Sequence, residues 1–243
     1  MAGLFCFHAL AASLYITSLC FGALEIACSR HSSAPDFNPE VRDQSIGRKM
    51  LYFWSQLTYV SGSLNCAYFC LRLLGEWNPL LGSGASSAFS GIASIKIVVN
   101  MLYFQLLFPT KDANQIHELD FKSSYLHALD SFALTLEGFY VRPPCENPAF
   151  GFRMTAFILI AYLALTEANF QVRGCWTYGL LNLRKRSGWG LVAQSVCAVY
   201  GLQMLMVCHP AGYVLSTALA ASSITHRLWR SRAAARISSV RGE

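Results

Sequence analysis

The sequence predicts an all-α fold, a bundle of about six transmembrane helices around a polar interior. Hydrophobic residues make up 54% of the 243 residues and charged residues only 13%, against about a quarter charged in soluble domains. The apolar residues fall into long runs, most of them close to the roughly 20 residues that a helix needs to cross the hydrocarbon core. Polar residues recur on one face of several runs, which indicates a polar interior.

The predicted spans, in chain order, are Leu4–Leu24, Met50–Leu74, Ser87–Phe108, Tyr125–Val141, Phe150–Thr166 and Leu191–Ala221. No basic segment precedes the first span, so we expect a retained helix rather than a signal peptide. The sixth span contains Pro210, so we expect it to end or kink near His209. The spans form one predicted membrane domain over residues 1–221, followed by a basic tail over residues 222–243.

The net charge of +6 comes largely from Arg184-Lys185-Arg186 and from the tail. Basic segments beside spans are typical of the cytoplasmic, anionic face of a membrane. No aromatic-interleaved basic surface accompanies the tail, so we expect membrane lipids as partners and no nucleic acid. The charges of the loops favour neither orientation. The sequence leaves open an endomembrane or plasma-membrane location and the oligomeric state.

The nine cysteines lie mostly within the spans and include no CxxC pair. We interpret them as free thiols that behave as small hydrophobic residues, and we predict no metal site and no cofactor. Motifs of the common serine hydrolases, zinc hydrolases and nucleotide-binding proteins are absent from the sequence. Those classes are therefore excluded.

The fourth span carries ionisable residues on one predicted helix face. His127, Asp130 and Glu137 follow at i, i+3 and i+10, within an arc of about 80°. Charged groups rarely face lipid because their burial there costs several kcal/mol. We therefore expect this face to turn toward the other helices, where Lys96 is available to pair with Asp130 or Glu137.

Two further spans carry polar residues at similar spacings. In the second span the set is Thr58, Ser61, Asn65 and Arg72; in the third it is Lys96, Asn100 and Tyr103. Each set falls within about 60° of arc on a helix. Together the faces predict a shared cavity, although polar contacts that only hold the helices together are the alternative.

Thr58 and His127 are the candidate catalytic pair in this cavity. Histidine is the commonest general base, and a threonine hydroxyl becomes a nucleophile when a base takes its proton. Such a pair could attack an ester carbonyl and form an acyl-enzyme. Asn65, Asn100 or a backbone N–H could stabilise the oxyanion, and Asp130 could orient the histidine. A purely structural role for His127 remains the alternative.

Two other histidines in the spans have no acidic neighbour at helical spacing. They are His8 in the first span and His209 beside Pro210. We therefore assign them no functional role from the sequence.

Four segments resemble the androgen-induced, FAR-17a-like family of multi-pass membrane proteins. The segments are Leu57-Thr58-Tyr59-Val60 with Asn65-Cys-Ala-Tyr68-Phe69, Val98-Val-Asn-Met-Leu-Tyr103-Phe104, Leu126-His127 through Leu134-Thr-Leu-Glu137, and Gly174-Cys-Trp176-Thr-Tyr178. They extend over the second to fifth spans.

The resemblance implies a threonine hydrolase that cleaves fatty-acid esters of hydroxy fatty acids, with Thr58 and His127 as the essential pair. The sequence departs from the family pattern around the histidine. Ser123 and Ser124 stand where the family has Asn-His, and Ala128 stands where it has Thr. Gly179 replaces the proline of the fourth segment.

Three functional hypotheses follow. The leading one is an intramembrane lipid esterase that acts on such esters. The second is a non-catalytic lipid-binding or regulatory membrane protein of the same fold, which the missing Asn-His pair favours. The third is a small transporter with Lys96, Asp130 and Glu137 as an ion path, which the short chain and the lack of broken-helix signals oppose.

Overall fold

The computed structural model describes residues 2–28, 45–103, 130–141, 143, 147–174, 176, 182–209, 211–219 and 221–222. These residues form helices and turns without any strand among them, which confirms the all-α fold. The helices are α1 (Ala2–Cys28), α2 (Ile46–Ser55), α3 (Leu57–Leu74), α4 (Pro79–Leu102), α5 (Asp130–Leu136), α6 (Pro148–Arg173) and α7 (Arg186–Cys208). A π-helical turn, Glu137–Val141, continues α5. A helical segment over residues 212–219 follows α7.

Among the described residues, four helices are long and apolar enough to cross a membrane. These spans are Gly3–Leu24, Pro79–Leu102, Pro148–Arg173 and Arg186–Cys208, which match the first, third, fifth and sixth predicted spans. Outside α4, these helices keep large apolar side chains exposed, among them Leu10 of α1 and Phe157 of α6. An apolar exterior of this kind is consistent with a membrane protein.

The second predicted span, Met50–Leu74, is wrong as a single helix. It is divided at Gln56, whose backbone is extended (φ −81°, ψ 121°), into α2 and α3. The break lets the rings of Phe53 and Tyr59 stack with centroids 4.1 Å apart. The Ser55 carbonyl, which lies at this break, accepts a hydrogen bond from the Tyr162 hydroxyl at 3.3 Å. Tertiary contacts therefore compensate for the interrupted helix.

The third predicted span begins too late. Helix α4 starts at Pro79, because the Asn78 side chain caps the Leu80 N–H at 3.1 Å and proline suits the first helical position. The glycines and serines before Ser87, which suggested a loop, therefore lie inside the helix. Residues 104–108 of the prediction lie outside the described residues.

The fifth and sixth predicted spans have different ends in the structure. Helix α6 extends beyond Thr166 to Arg173 and stops at Gly174, whose φ of 73° favours glycine. Helix α7 ends at Cys208, and the extended backbone of His209 confirms the predicted break near Pro210. The fourth predicted span is described only from Asp130 onward, and the tail beyond residue 222 lies outside the described residues.

Helix α4 lies at the centre of the bundle, in contact with α3, α6 and α7. Every residue from Ala85 to Val99 is buried. Small residues let its neighbours approach closely, as is common between membrane helices. A Cβ on Gly151 of α6 would lie 2.6 Å from the Ser87 carbonyl oxygen, and one on Gly91 would meet Thr155.

Helices α3 and α4 run antiparallel. Where α3 leads into α4, a Cβ on Gly75 would lie 2.6 Å from the Gly82 Cα. At the other end, Leu57 and Leu102 pack against the same apolar cluster, which includes Val98 and Val99. The start of α3 therefore lies level with the end of α4.

We predict that Gly151→Ala lowers the free energy of unfolding by about 1–3 kcal/mol, because the new methyl group would push α6 away from the α4 backbone. The melting temperature of the purified protein in detergent measures this effect. The control is Gly84→Ala in α4, where a Cβ meets nothing within 4 Å. Equal melting temperatures for the two variants would contradict the close packing of α4 and α6.

Candidate functional site

A buried carboxylate joins four parts of the bundle. Glu137, the first residue of the π-helical turn, is fully buried. Its Oε2 lies 3.0 Å from Nε2 of His8 on α1. Its Oε1 accepts hydrogen bonds from the Tyr68 hydroxyl at 2.7 Å and from Arg72 Nε at 3.2 Å, both on α3. Arg72 Nη1 also donates to the Ser86 hydroxyl of α4 at 2.7 Å. We call these five residues the Glu137 cluster.

The pairing in the Glu137 cluster compensates for the burial of charge. A buried carboxylate is costly unless opposite charge and hydrogen bonds satisfy it. Arg72 supplies the charge, while Tyr68 and His8 supply further donors. Both carboxylate oxygens are occupied, so the cluster suits a structural and positioning role better than that of a free general base.

The polar faces predicted from the sequence contain only part of the Glu137 cluster. Glu137 and Arg72 lie on predicted polar faces, and Tyr68 shares the face of Asn65 one turn away. His8 has no acidic neighbour at helical spacing, as stated above, but its partner Glu137 lies 129 residues away in the sequence. Spacing within one helix cannot reveal such a contact.

Of the two predicted partners of Lys96, the structure opposes Glu137, whereas Asp130, whose side chain lies outside the described residues, stays a prediction. Lys96 is buried in α4, ten residues after Ser86, which corresponds to a rise of about 15 Å. Arg72 and His8 are the ion-pair partners of Glu137 in the described part of the chain.

The polar face of α3 continues from the Glu137 cluster into the bundle interior. Ser61 and Asn65 are both buried, Asn65 completely. Neither Nδ2 nor Oδ1 of Asn65 has a hydrogen-bond partner among the described residues. A buried orphan amide costs about 1–3 kcal/mol, so this donor and this acceptor are available to a polar ligand.

Thr58 lies at the start of the same face. It is the second residue of α3, half-buried, and no side chain caps the N–H groups of this helix start in the described structure. Its carbonyl accepts the Ser61 hydroxyl at 2.9 Å. Uncapped N–H groups at a helix start carry partial positive charge and can stabilise an oxyanion.

The helix rise separates Thr58 from the other polar residues of α3. Asn65 lies about 10 Å along the axis from Thr58, and Arg72 about 21 Å. Asn65 is therefore too distant to contact the same oxyanion as the Thr58 hydroxyl. The backbone N–H groups at the start of α3 are the better candidates for that role.

Asn100 connects the end of α4 with the start of α5. Its Nδ2 donates to the Ser131 hydroxyl, and its Oδ1 has no partner among the described residues. Because α3 and α4 are antiparallel, this contact lies at the Thr58 end of the bundle. Asp130 opens α5. The Asp130 side chain and the whole of His127 lie outside the described part of the chain.

The described residues hold no group of three or more His, Cys, Asp or Glu side chains that could bind a metal ion. Six cysteines in that part of the chain are free: Cys6, Cys20, Cys66, Cys70, Cys197 and Cys208.

Comparison with protein-family models, curated proteins and solved structures finds no match for this chain. The resemblance to the androgen-induced family therefore stays a prediction that depends on the four segments quoted above. The site must be interpreted from its own geometry.

We predict that Glu137→Gln lowers the free energy of unfolding by about 3–5 kcal/mol, because it leaves Arg72, whose side chain is only 15% exposed, without its counter-charge. Thermal unfolding in detergent measures the change. The matched control is Glu167→Gln, which removes an exposed pair with Arg184, their side chains being 34% and 58% exposed. Exposed pairs contribute about 0–1 kcal/mol, so the control should melt close to wild type. A Glu137→Gln variant as stable as the control would refute the role of the cluster.

In contrast to Glu137→Gln, we predict that replacing the Asn65 side chain increases the stability of the protein. Asn65→Leu keeps the branched shape and the number of side-chain heavy atoms and removes an orphan amide, so it should raise the melting temperature by a few degrees. The comparison is Asn147→Ala, which removes a satisfied cap on Phe150 N–H and should lower stability by about 1 kcal/mol. A marked loss of stability in Asn65→Leu would show that this amide has a structural partner.

Proposed function

We propose that the protein is a multi-pass intramembrane esterase that hydrolyses fatty-acid esters of hydroxy fatty acids. Thr58 is the nucleophile and His127 the general base. The observation that carries the proposal is the position of Thr58, at an uncapped helix start that opens onto the buried polar face of α3. There a hydroxyl lies beside backbone N–H donors, and Asn65 offers further hydrogen bonds deeper in the bundle.

The proposed reaction proceeds by acyl transfer. His127 takes the Thr58 hydroxyl proton as Oγ1 attacks the ester carbonyl, and N–H groups at the start of α3 stabilise the oxyanion. The C–O bond to the hydroxy fatty acid then breaks, and that oxygen receives the proton from His127. Water, deprotonated by His127, finally attacks the acyl-Thr58 ester; the bond to Oγ1 breaks, Oγ1 takes back the proton from His127, and the fatty acid is released.

The mechanism requires His127 to lie level with Thr58, and two contacts support this. Tyr68 follows Thr58 by ten residues, Glu137 follows His127 by ten residues, and Tyr68 donates directly to Glu137. Ser131, four residues after His127, contacts Asn100 at the Thr58 end of the bundle. Thr58 and His127 each precede the Tyr68–Glu137 contact by ten residues, and this equal spacing favours their pairing.

The apolar exterior suits a substrate with long acyl chains. Such chains would enter laterally from the bilayer along α1, α6 or α7, whose outward side chains are largely apolar. The expected partners are thus the lipid ester and the surrounding membrane lipids, in an endomembrane or the plasma membrane.

A non-catalytic lipid-binding protein is the second candidate. The closed pairing of the Glu137 cluster favours it, because the most conspicuous ionisable groups are engaged with one another. On this alternative, wild type binds the ester without turnover. The transporter hypothesis is weaker, since Glu137 is held by Arg72 and His8.

We predict that Thr58→Ala lowers hydrolysis of a branched fatty-acid ester by at least about 10³-fold in purified, detergent-solubilised protein, because it removes the nucleophile. Thr58→Ser should retain measurable turnover, since it keeps a hydroxyl. The control is Ser63→Ala on another face of α3, whose hydroxyl bonds to the Tyr59 carbonyl at 2.8 Å. Turnover in Thr58→Ala equal to that of Ser63→Ala would exclude the mechanism. A folded wild type that binds but does not cleave would favour the lipid-binding protein.

A further inference from the structure

Arg173 has a buried guanidinium group without a hydrogen-bond acceptor. It is the last residue of α6, and its Nε, Nη1 and Nη2 atoms are all buried without a partner among the described residues. The group lies over the Tyr52 ring of α2, 4.4 Å from the centroid. The ring stabilises the positive charge, but it does not satisfy donors that point along the guanidinium plane.

A second buried cation lies on the same face of α2. Lys49 precedes Tyr52 by one helical turn and is only 6% exposed. Within the described residues, no carboxylate forms an ion pair with Lys49 or Arg173. Arg173 thus lies over Tyr52, and Lys49 lies one turn before Tyr52 on α2, the helix that packs against α6.

Two other arginines of the described structure have the carboxylate partner that Arg173 lacks. Arg72 binds Glu137 and Ser86, and Arg184 binds Glu167. A buried cation is unfavourable without a counter-charge. Among the described residues Arg173 lacks such a counter-charge, and an anion would supply it.

We propose that the face between α2 and α6, formed by Lys49, Tyr52 and Arg173, binds the oxyanion of a lipid, a carboxylate or a phosphate group. The planar fork of arginine matches both groups through paired hydrogen bonds. This site is separate from the chemistry at Thr58 and does not depend on it.

The position of the site favours a lipid as the source of the oxyanion. Arg173 ends a candidate span, Pro148–Arg173, and the end of such a span lies at the level of lipid headgroups. Aromatic rings near this end, Phe170 and Trp176, stack with centroids 4.5 Å apart, as is typical of the membrane interface.

The test is a thermal-shift titration of the purified full chain in detergent with oleate, phosphatidic acid, oleyl alcohol and inorganic phosphate. Oleate and phosphatidic acid should raise the melting temperature, whereas oleyl alcohol, which has the same chain without the charge, should not. Arg173→Gln and Lys49→Gln should each weaken the apparent Kd for oleate at least tenfold. Arg48→Gln, an equal loss of charge at an exposed position on α2, should leave it unchanged.

The outcomes distinguish a lipid from a free anion as the source of the oxyanion and test whether Arg173 binds it. A phosphate response that equals the lipid responses and disappears in Arg173→Gln would support the oxyanion site but assign it to a free anion. Equal responses to oleate and oleyl alcohol, or wild-type binding by Arg173→Gln, would overturn the proposal. If Arg173→Gln fails to fold, Arg173→Lys replaces it: this variant keeps the charge without the fork and should bind oleate several-fold more weakly. Unaltered binding by Arg173→Lys would also overturn the proposal.

Discussion

The arrangement of the bundle depends on one buried carboxylate, Glu137. Its two oxygens hold α1 through His8 and α3 through Tyr68 and Arg72, and Arg72 in turn contacts Ser86 of α4. A short segment, Asp130 through Val141, is thereby fixed among three longer helices. Because an unpaired charge is so costly in this setting, the contact also determines how α5 is aligned along α3.

This alignment divides α3 into two functional ends. At the end that carries Arg72, the polar groups are paired with one another and serve the fold. At the other end, Thr58 lies at an uncapped helix start. Asn65, between Thr58 and Arg72 along α3, has an amide without a partner among the described residues. Unsatisfied polar groups reduce stability, and such a cost is typical of sites that bind a ligand. The reactive chemistry is therefore expected at the Thr58 end.

The sequence predicted the helical class, and four of its six predicted spans match long apolar helices, because run length and composition are local properties. It did not predict the division at Gln56, since no proline or glycine marks it and the stacking of Phe53 on Tyr59 compensates for it. It misjudged the start of α4, where Asn78 and Pro79 outweigh the glycines that follow. It also missed His8, whose partner is distant in the sequence. Contacts between helices were beyond the reach of periodicity in one chain.

The most direct test of the central claim is a double-mutant cycle on kcat/KM with Thr58→Ala, His127→Ala and the combined variant. If the two residues act as one unit, either single substitution should cost nearly the full effect, and the combined variant should lose little more. Losses that multiply in the combined variant, at unchanged melting temperature, would contradict the claim that the Glu137 contact aligns His127 with Thr58.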